Sequence, residues 1–390
     1  MRKRSSPPHL ISTWLTRHEG MQPDTLRADI PALQEGVYLN TGASSPSPRT
    51  VVDAVTEFLH HQQFDAPSAE GPYPAAMDLT ERARETVASH LGASPAEIAL
   101  TDSTVDGINH VATSIDWNPG DVVVRTDLEH PAGVLPWARM RDLYGIEIRT
   151  VSTEAGRVDL DTLRSAVEDA RLLCVSSVSW NYGTQLPVSE IVDIAHETDT
   201  LVMLDAVQSP GQMPVDVDTW GADFIAGSGH KWLLGPWGAG FLYVDRDVLA
   251  GLQPQRIGYF GVDLEAMDGN DYEYEPDASR FELGTDAVAA YAGLMAGIDT
   301  IESVGFSTIQ QRVQRLTDQL KQGLGERLLS PDEYESGLVA FNTDDPDGLV
   351  DRLAADGIQI RSIPEPHACR VSLHVYNSAD DVEALLAALE

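Results

Sequence analysis

Leu201-Val-Met-Leu-Asp-Ala-Val-Gln208 reads as a short apolar strand that closes on a carboxylate, with an amide three residues further on. Val122-Val-Val-Arg125, Glu147-Ile-Arg-Thr-Val151, Leu172-Leu-Cys-Val-Ser-Ser-Val178 and Phe224-Ile-Ala226 are similarly brief, and amphipathic stretches at 131–143, 160–170 and 189–197 lie between them. Strands that are apolar on both faces and alternate with helices specify a mostly parallel sheet covered on both sides. The run Gly238-Ala-Gly-Phe-Leu-Tyr-Val244 follows its predecessor too closely for a crossover helix and is expected to return antiparallel. Beyond about residue 295 the pattern changes. A long helix near 306–328, Leu338-Val-Ala-Phe341, a helix near 346–355, Ile358-Gln-Ile-Arg361, Cys369-Arg-Val-Ser-Leu-His-Val-Tyr376 and a terminal helix at 378–389 suggest a small α+β unit. The reading is a large α/β domain over 29–295, its first ~15 residues packing on a smaller α+β domain over 296–390.

At 390 residues the chain exceeds what one core comfortably serves, which agrees with two domains. A net charge of −35 argues against nucleic acid and anionic membrane as partners, because basic groups drive both interactions. The acid is dispersed and basic residues are overwhelmingly arginine, a pattern expected of adaptation to high salt, where screening suppresses self-repulsion. No run approaches the roughly 20 apolar residues of a membrane span, and a soluble, cytoplasmic protein is expected. The two cysteines, Cys174 and Cys369, exclude a disulfide framework or a four-cysteine metal site, and no metal is expected. Arg2, Lys3, Arg4 and Arg17 against Glu19 make the beginning of the chain basic, and residues 1–28 read as a disordered extension.

Lysine occurs three times, at Lys3, Lys231 and Lys321, against twenty-three arginines. Arginine keeps its proton near neutral pH and forms no Schiff base, whereas a lysine in a tight, partly desolvated site can lose its proton and form one. Lys231 stands in Gly227-Ser-Gly-His-Lys-Trp-Leu-Leu-Gly-Pro-Trp-Gly-Ala-Gly240, small residues before it and a glycine-rich apolar run after it, and so reads as a covalent anchor. Ligands of open α/β sheets collect beyond the carboxyl ends of the strands. Asp205, Gln208 and Asn181 fall at such ends, Ser103 and Thr104 open a helix that could cradle an anion, and His130-Pro131 opens another segment. An amine, a carboxylate, amide partners, an aromatic cap and an anion cradle are the set that pyridoxal 5′-phosphate requires.

Seven signatures in order carry a resemblance: Ser103-Thr104, Glu129-His-Pro-Ala, Ser179-Trp-Asn-Tyr-Gly-Thr184, Leu204-Asp-Ala-Val-Gln208, Ser228-Gly-His-Lys231, Arg280-Phe-Glu-Leu-Gly-Thr285 and Cys369-Arg-Val-Ser-Leu. From Val37-Tyr-Leu-Asn-Thr-Gly-Ala-Ser44 nearly to the C-terminus, the chain resembles the class V aminotransferase family of fold-type I pyridoxal-phosphate enzymes. That family includes cysteine desulfurases, cysteine C–S lyases and isopenicillin-epimerase-like proteins. The resemblance implies a mostly parallel, seven-stranded-type sheet, with Lys231 as cofactor anchor and base, Asp205 facing the ring nitrogen and His130 stacking on the ring. It also implies that Gln208 and Asn181 bond the phenolic oxygen, and that Ser103, Thr104, Ser228 and His230 hold the phosphate. Val105 stands where many relatives have a second threonine, so one phosphate hydroxyl would be missing. Thr285 would reach the phosphate of a neighbouring subunit in a homodimer. Arg370, with Arg361 as a second candidate, would bind the substrate carboxylate.

Desulfurases need a mobile cysteine shortly after the strand carrying Arg361, because a thiolate must attack the substrate sulfur. Here the segment Arg361-Ser-Ile-Pro-Glu-Pro-His-Ala-Cys-Arg370 is short and carries proline where that thiol is expected. Cys369 adjoins Arg370 on a strand and should point to the opposite face. The reading that follows is an amino-acid lyase of the cysteine or cystine C–S type. A transaminase, a desulfurase using Cys369 and a non-catalytic cofactor-binding protein are its alternatives.

Overall fold

The computed structural model describes residues 20–390. Twelve strands are present among them: β1 (Val37–Tyr38), β2 (Ile98–Thr101), β3 (Val122–Thr126), β4 (Glu147–Val151), β5 (Ala170–Ser176), β6 (Leu201–Asp205), β7 (Phe224–Ser228), β8 (Gly240–Val244), β9 (Leu338–Phe341), β10 (Ile358–Gln359), β11 (Arg361–Ile363) and β12 (Ala368–Ser372). Seven form one sheet in the order β2-β8-β7-β6-β5-β3-β4, mixed only through β8, which runs antiparallel to both its neighbours. The expected return of the 238–244 run is therefore present. The central strands β5, β6 and β7 are almost wholly buried, as the unbroken apolar runs required.

This order positions the site. Because β8 opposes both β2 and β7, β2 runs parallel to β7, and Thr101 and Ser228 face the same residue, Gly240. Strands β2, β7, β6, β5 and β3 thus deliver their carboxyl ends to a single edge. The chain also changes direction of travel there, β4 lying outward of β3 and β6 on the other side of β5, which makes a crevice at a topological switch point.

A second, three-stranded sheet has the order β11-β12-β9, antiparallel throughout, and pairs Arg361 with Arg370 across β11 and β12. β1 pairs with β10, and Asn40 bridges to Ser372, so residues 37–40 lie against the C-terminal strands.

Two expectations need correction. Residues 1–19 lie outside the described residues, but within the expected disordered segment 1–28 the helix Pro23–Asp29 is ordered. Its Leu26 is buried and its Arg27 forms a two-bond ion pair with the buried Asp381, contacts to the distant C-terminal helix that local composition does not reveal. The expected boundary at 295/296 falls inside the continuous helix Ala289–Val304, which packs on the helices Arg49–His60 and Pro72–Leu91. That helix is apolar nearly all round, so its sequence shows no periodicity to mark it.

Candidate active site

A cleft of about 190 Å³ opens at the switch-point edge, lined by Ser103, Thr104, Val105, His130, Trp180, Asp205, Gln208, Ser228, His230, Lys231, Arg361 and Arg370, with Gly42 and Ala43 closing it. Lys231 follows β7 in a tight loop closed by Gly235 N–H to Gly229 O (2.8 Å) and Leu234 N–H to Lys231 O (3.1 Å). Leu234 there adopts φ 60°, a left-handed conformation unusual for a bulky side chain and held by complete burial. Burial, reinforced by Arg370 and Arg361 and opposed by Asp205, lowers the Lys231 amine to about 8. Such an amine readily presents a lone pair.

Asp205 ends β6, and one carboxylate oxygen accepts from Val207 N–H at 3.0 Å. Burial raises its pKa, while the Lys231 charge and the Val207 bond pull the other way. At the opposite end of the cleft, the helix Thr104–Ser114 begins with Ser103 as N-cap, its hydroxyl accepting from Asp106 N–H. Thr104 N–H donates to Ser228 Oγ at 2.6 Å, and the two hydroxyls lie 2.7 Å apart, tying the helix start to the end of β7. The approach requires Gly240, because a Cβ there would sit 2.8 Å from Ser103 Cα. This helix start, with two hydroxyls and His230 nearby, has the donors and the positive dipole end that suit an anion.

His130 caps a short turn, its Nδ1 accepting from Ala132 N–H, and its ring meets Trp180 edge-on at 5.2 Å. Burial, then Lys231, Arg361 and Arg370, lowers it to about 4, so the ring is neutral. Arg370 is 1% exposed. Its Nη1 donates to Trp180 O at 2.7 Å, while Nε and Nη2, one edge of the guanidinium plane, are buried without a partner. Burial and then Arg361 lower it to about 9. A buried cation with an unused two-donor edge has the donor geometry that pairs with a carboxylate.

One residue expected in this cleft, Asn181, is not brought into it. Asn181 donates its amide N–H to Glu365 O at 3.1 Å and accepts from Tyr182 N–H, bridging its loop to the β11–β12 turn rather than lining the pocket. Thr285 is exposed, with φ 59°, and its hydroxyl lies 2.5 Å from that of Tyr259. Sequence reasoning missed Trp180, Gly42 and Ala43 as lining residues, and it missed the buried Glu129 behind His130. Glu129 accepts from Thr126 and Ser176 hydroxyls at 2.7 Å each, and burial raises it to about 7 against those two bonds. Its presence beside His130 in a quoted signature was the available signal.

Cys369, on the same strand as Arg370 but facing away, packs with its Sγ 3.5 Å from Pro346 O. Burial, with Asp347 and Asp345 nearby, pushes this thiol up to about 12. Cys174 is buried in β5 and raised well above the ordinary thiol range by burial and Glu129.

Residues 37–385 match the model of the family described as aminotransferase class-V. A probable cysteine desulfurase of Methanothermobacter thermautotrophicus is 35% identical, over 95% of this chain and 98% of its own. The apo structure of a cysteine desulfurase from Thermococcus onnurineus NA1 superposes with a TM-score of 0.88 at 29% identity, covering 95% of this chain and 98% of that one. A cystine C–S lyase in complex with its product, cysteine persulfide, gives a TM-score of 0.87 at 27% identity, covering 92% and 98%. The cofactor is pyridoxal 5′-phosphate, and the cleft's own donor set fits it: an accessible amine, a buried carboxylate, an anion-binding helix start and an orphaned guanidinium edge for the substrate.

Proposed function

The chain belongs to the class V aminotransferase family, and on that premise we propose that it is a pyridoxal-phosphate-dependent C–S lyase acting on cystine or cysteine. The observation that carries this reading is the state of the thiols. The chain has two, both fully buried, and the β11–β12 turn Pro364-Glu-Pro-His367 holds none. A desulfurase that passes sulfur to its own cysteine needs a thiolate able to reach the substrate. An elimination needs only proton removal and departure of the sulfur.

The cofactor, when bound, supplies an electron sink that stabilises negative charge at the substrate Cα. The protein does the rest. Arg370 would take the α-carboxylate on its Nε–Nη2 edge, Trp180 O holding the opposite side of the guanidinium. Lys231 would anchor the cofactor and, freed by the substrate amine, accept the Cα proton at Nζ. Asp205 would keep the ring nitrogen protonated, and Ser103, Thr104, Val105, Ser228 and His230 would hold the phosphate. The Cβ–S bond then breaks with its electron pair leaving on sulfur, as cysteine persulfide from cystine or sulfide from cysteine. Water converts the remaining three carbons to pyruvate and ammonia, and no oxidant or reductant enters.

The second guanidinium favours cystine. Arg361 lines the same cleft, its Nε donating to Ser362 O at 3.3 Å, and is the second cation there that a second carboxylate would meet. We further propose a homodimer, supported by the exposed Thr285 near exposed Tyr259 and Ile257, in which Thr285 would reach the neighbouring cofactor. Among the described residues no helix is long and apolar enough to cross a membrane.

The test is product analysis with cystine and cysteine, in the wild type and in a variant with Cys174→Ser and Cys369→Ser. Pyruvate in step with persulfide or sulfide, undiminished in the variant, is the expected outcome. Alanine abolished by Cys369→Ser would replace this reading with desulfuration, and a pyridoxamine form without pyruvate would replace it with transamination.

A further inference from the structure

The residue after the anchor lysine has a role of its own. We propose that Trp232 is a positioning residue whose indole N–H orients the side-chain amide of Gln208, so that an N–H and not the carbonyl oxygen faces the cofactor pocket. Gln208 is 2% exposed and lines the cleft. Its Oε1 accepts from Trp232 Nε1 at 2.7 Å, and its Nε2 donates to Gly42 O at 3.1 Å. An indole N–H can only donate and a backbone carbonyl can only accept. Exchanging the amide's oxygen and nitrogen would set donor against donor and acceptor against acceptor, leaving buried polar groups unpaired at both ends. The amide therefore has one orientation, and its second Nε2 hydrogen is the donor left for a ligand.

Trp232 is itself held from every side. Its ring is fully buried among Val178, Met213 and Leu338, and Gly337 passes so close that a Cβ there would lie 2.9 Å from the indole Cη2. The Trp232 carbonyl accepts from His374 Nε2 at 2.9 Å. His374 has that proton to give because its Nδ1 accepts from Val375 N–H at 2.6 Å, which sets the tautomer. The chain from His374 through Trp232 to Gln208 joins the segment after β12 to the pocket wall.

The proposal rests on the reading that Gln208 faces the cofactor's phenolic oxygen. A donor there favours the anionic oxygen, so the proton shared with the lysine linkage leaves at lower pH. Loss of the donor should raise the pH midpoint of the holoenzyme's visible absorption band. Trp232→Phe keeps an aromatic ring in the box and removes the N–H together with part of the indole's volume. It should raise the midpoint by up to about one unit, since a bond to a charged acceptor is worth about that much. Gln208→Met should raise it at least as far, and the double variant no further than Gln208→Met alone. With the seven tryptophans labelled at the indole nitrogen, the Trp232 N–H resonance should move upfield in Gln208→Met, a readout that leaves Trp232 in place should its own variant not fold. An unchanged midpoint in Trp232→Phe, a further full shift in the double variant, or an unmoved resonance overturns the proposal. An unchanged midpoint in Gln208→Met with the resonance displaced instead overturns the placement of Gln208 against the ring oxygen on which the proposal rests.

Discussion

Arg370 is buried, bonds through Nη1 to Trp180 O and leaves Nε and Nη2 without partners, so Arg370→Met removes a half-paired cation from the interior. Burial and Arg361 bring the guanidinium from 12.5 to about 9, a displacement that corresponds to about 5 kcal/mol as an upper bound. A base whose folded pKa is depressed loses stability as pH falls from its unfolded to its folded value, so the full penalty is present at neutral pH. Against this, the variant orphans the Trp180 carbonyl, at about 1–3 kcal/mol. The substrate-free protein should therefore gain about 2 kcal/mol, measured by urea unfolding of the cofactor-free form at pH 7.5. In the same variant two charge-assisted bonds to the substrate are lost, each worth about 1.5–3 kcal/mol, and kcat/KM for cystine should fall by about 10²–10⁴. A destabilised variant, or one whose kcat/KM falls less than about tenfold, would refute the assignment of that edge to the substrate.

If Arg361 meets a distal carboxylate, Arg361→Met should lower kcat/KM for cystine by about tenfold or more and that for cysteine far less; equal losses on both would remove the two-arginine argument for cystine. Glu129→Gln should leave stability unchanged below about pH 4.5, stabilise the cofactor-free protein progressively between about pH 4.5 and 7, and stabilise it by a constant amount above that. The carboxyl's rise from 4.5 to about 7 means that its ionised form is disfavoured by about 3 kcal/mol in the fold, a penalty that builds as pH rises from 4.5 to about 7, is full above that and is absent below 4.5. A difference independent of pH would show that Glu129 is not buried as described. Finally, with a net charge of −35, dialysis from molar salt to about 50 mM should lower the thermal midpoint, because the Debye length grows and the acidic surface repels itself. An unchanged midpoint would count against adaptation to high salt.

The strands and the groups at their carboxyl ends were legible because both are written locally. An apolar run followed by Asp205 or by Ser228 says what it is within ten residues, and the alternation along β12 separates Arg370 from Cys369 without any tertiary knowledge. What was not legible depends on register between distant segments. Asn181 reads as one more amide at a strand end, yet the Glu365 carbonyl takes its N–H, and no local pattern places that turn beside it. Trp232 reads as apolar filling after the anchor, and its function emerges only when Gln208, twenty-four residues earlier, turns its oxygen toward it. The same holds for Gly42, whose missing side chain leaves room beside Arg370 and Ser372, more than three hundred residues further along.

This division has a consequence for specificity. The groups that bear the chemistry common to the family sit on the large sheet, each set by its own strand. The groups proposed to meet the substrate, Arg361 and Arg370, are fixed by a three-stranded hairpin sheet and by one backbone carbonyl, Trp180 O. The short β11–β12 turn shapes both at once, setting Arg361 and Arg370 opposite each other in register and leaving little length for a mobile thiol. On the proposed reading, the same few residues would disfavour sulfur transfer to the protein and suit a dicarboxylate. Lengthening that turn with a cysteine-bearing loop is the change that should convert pyruvate formation toward alanine formation, and it should do so while weakening the grip on cystine.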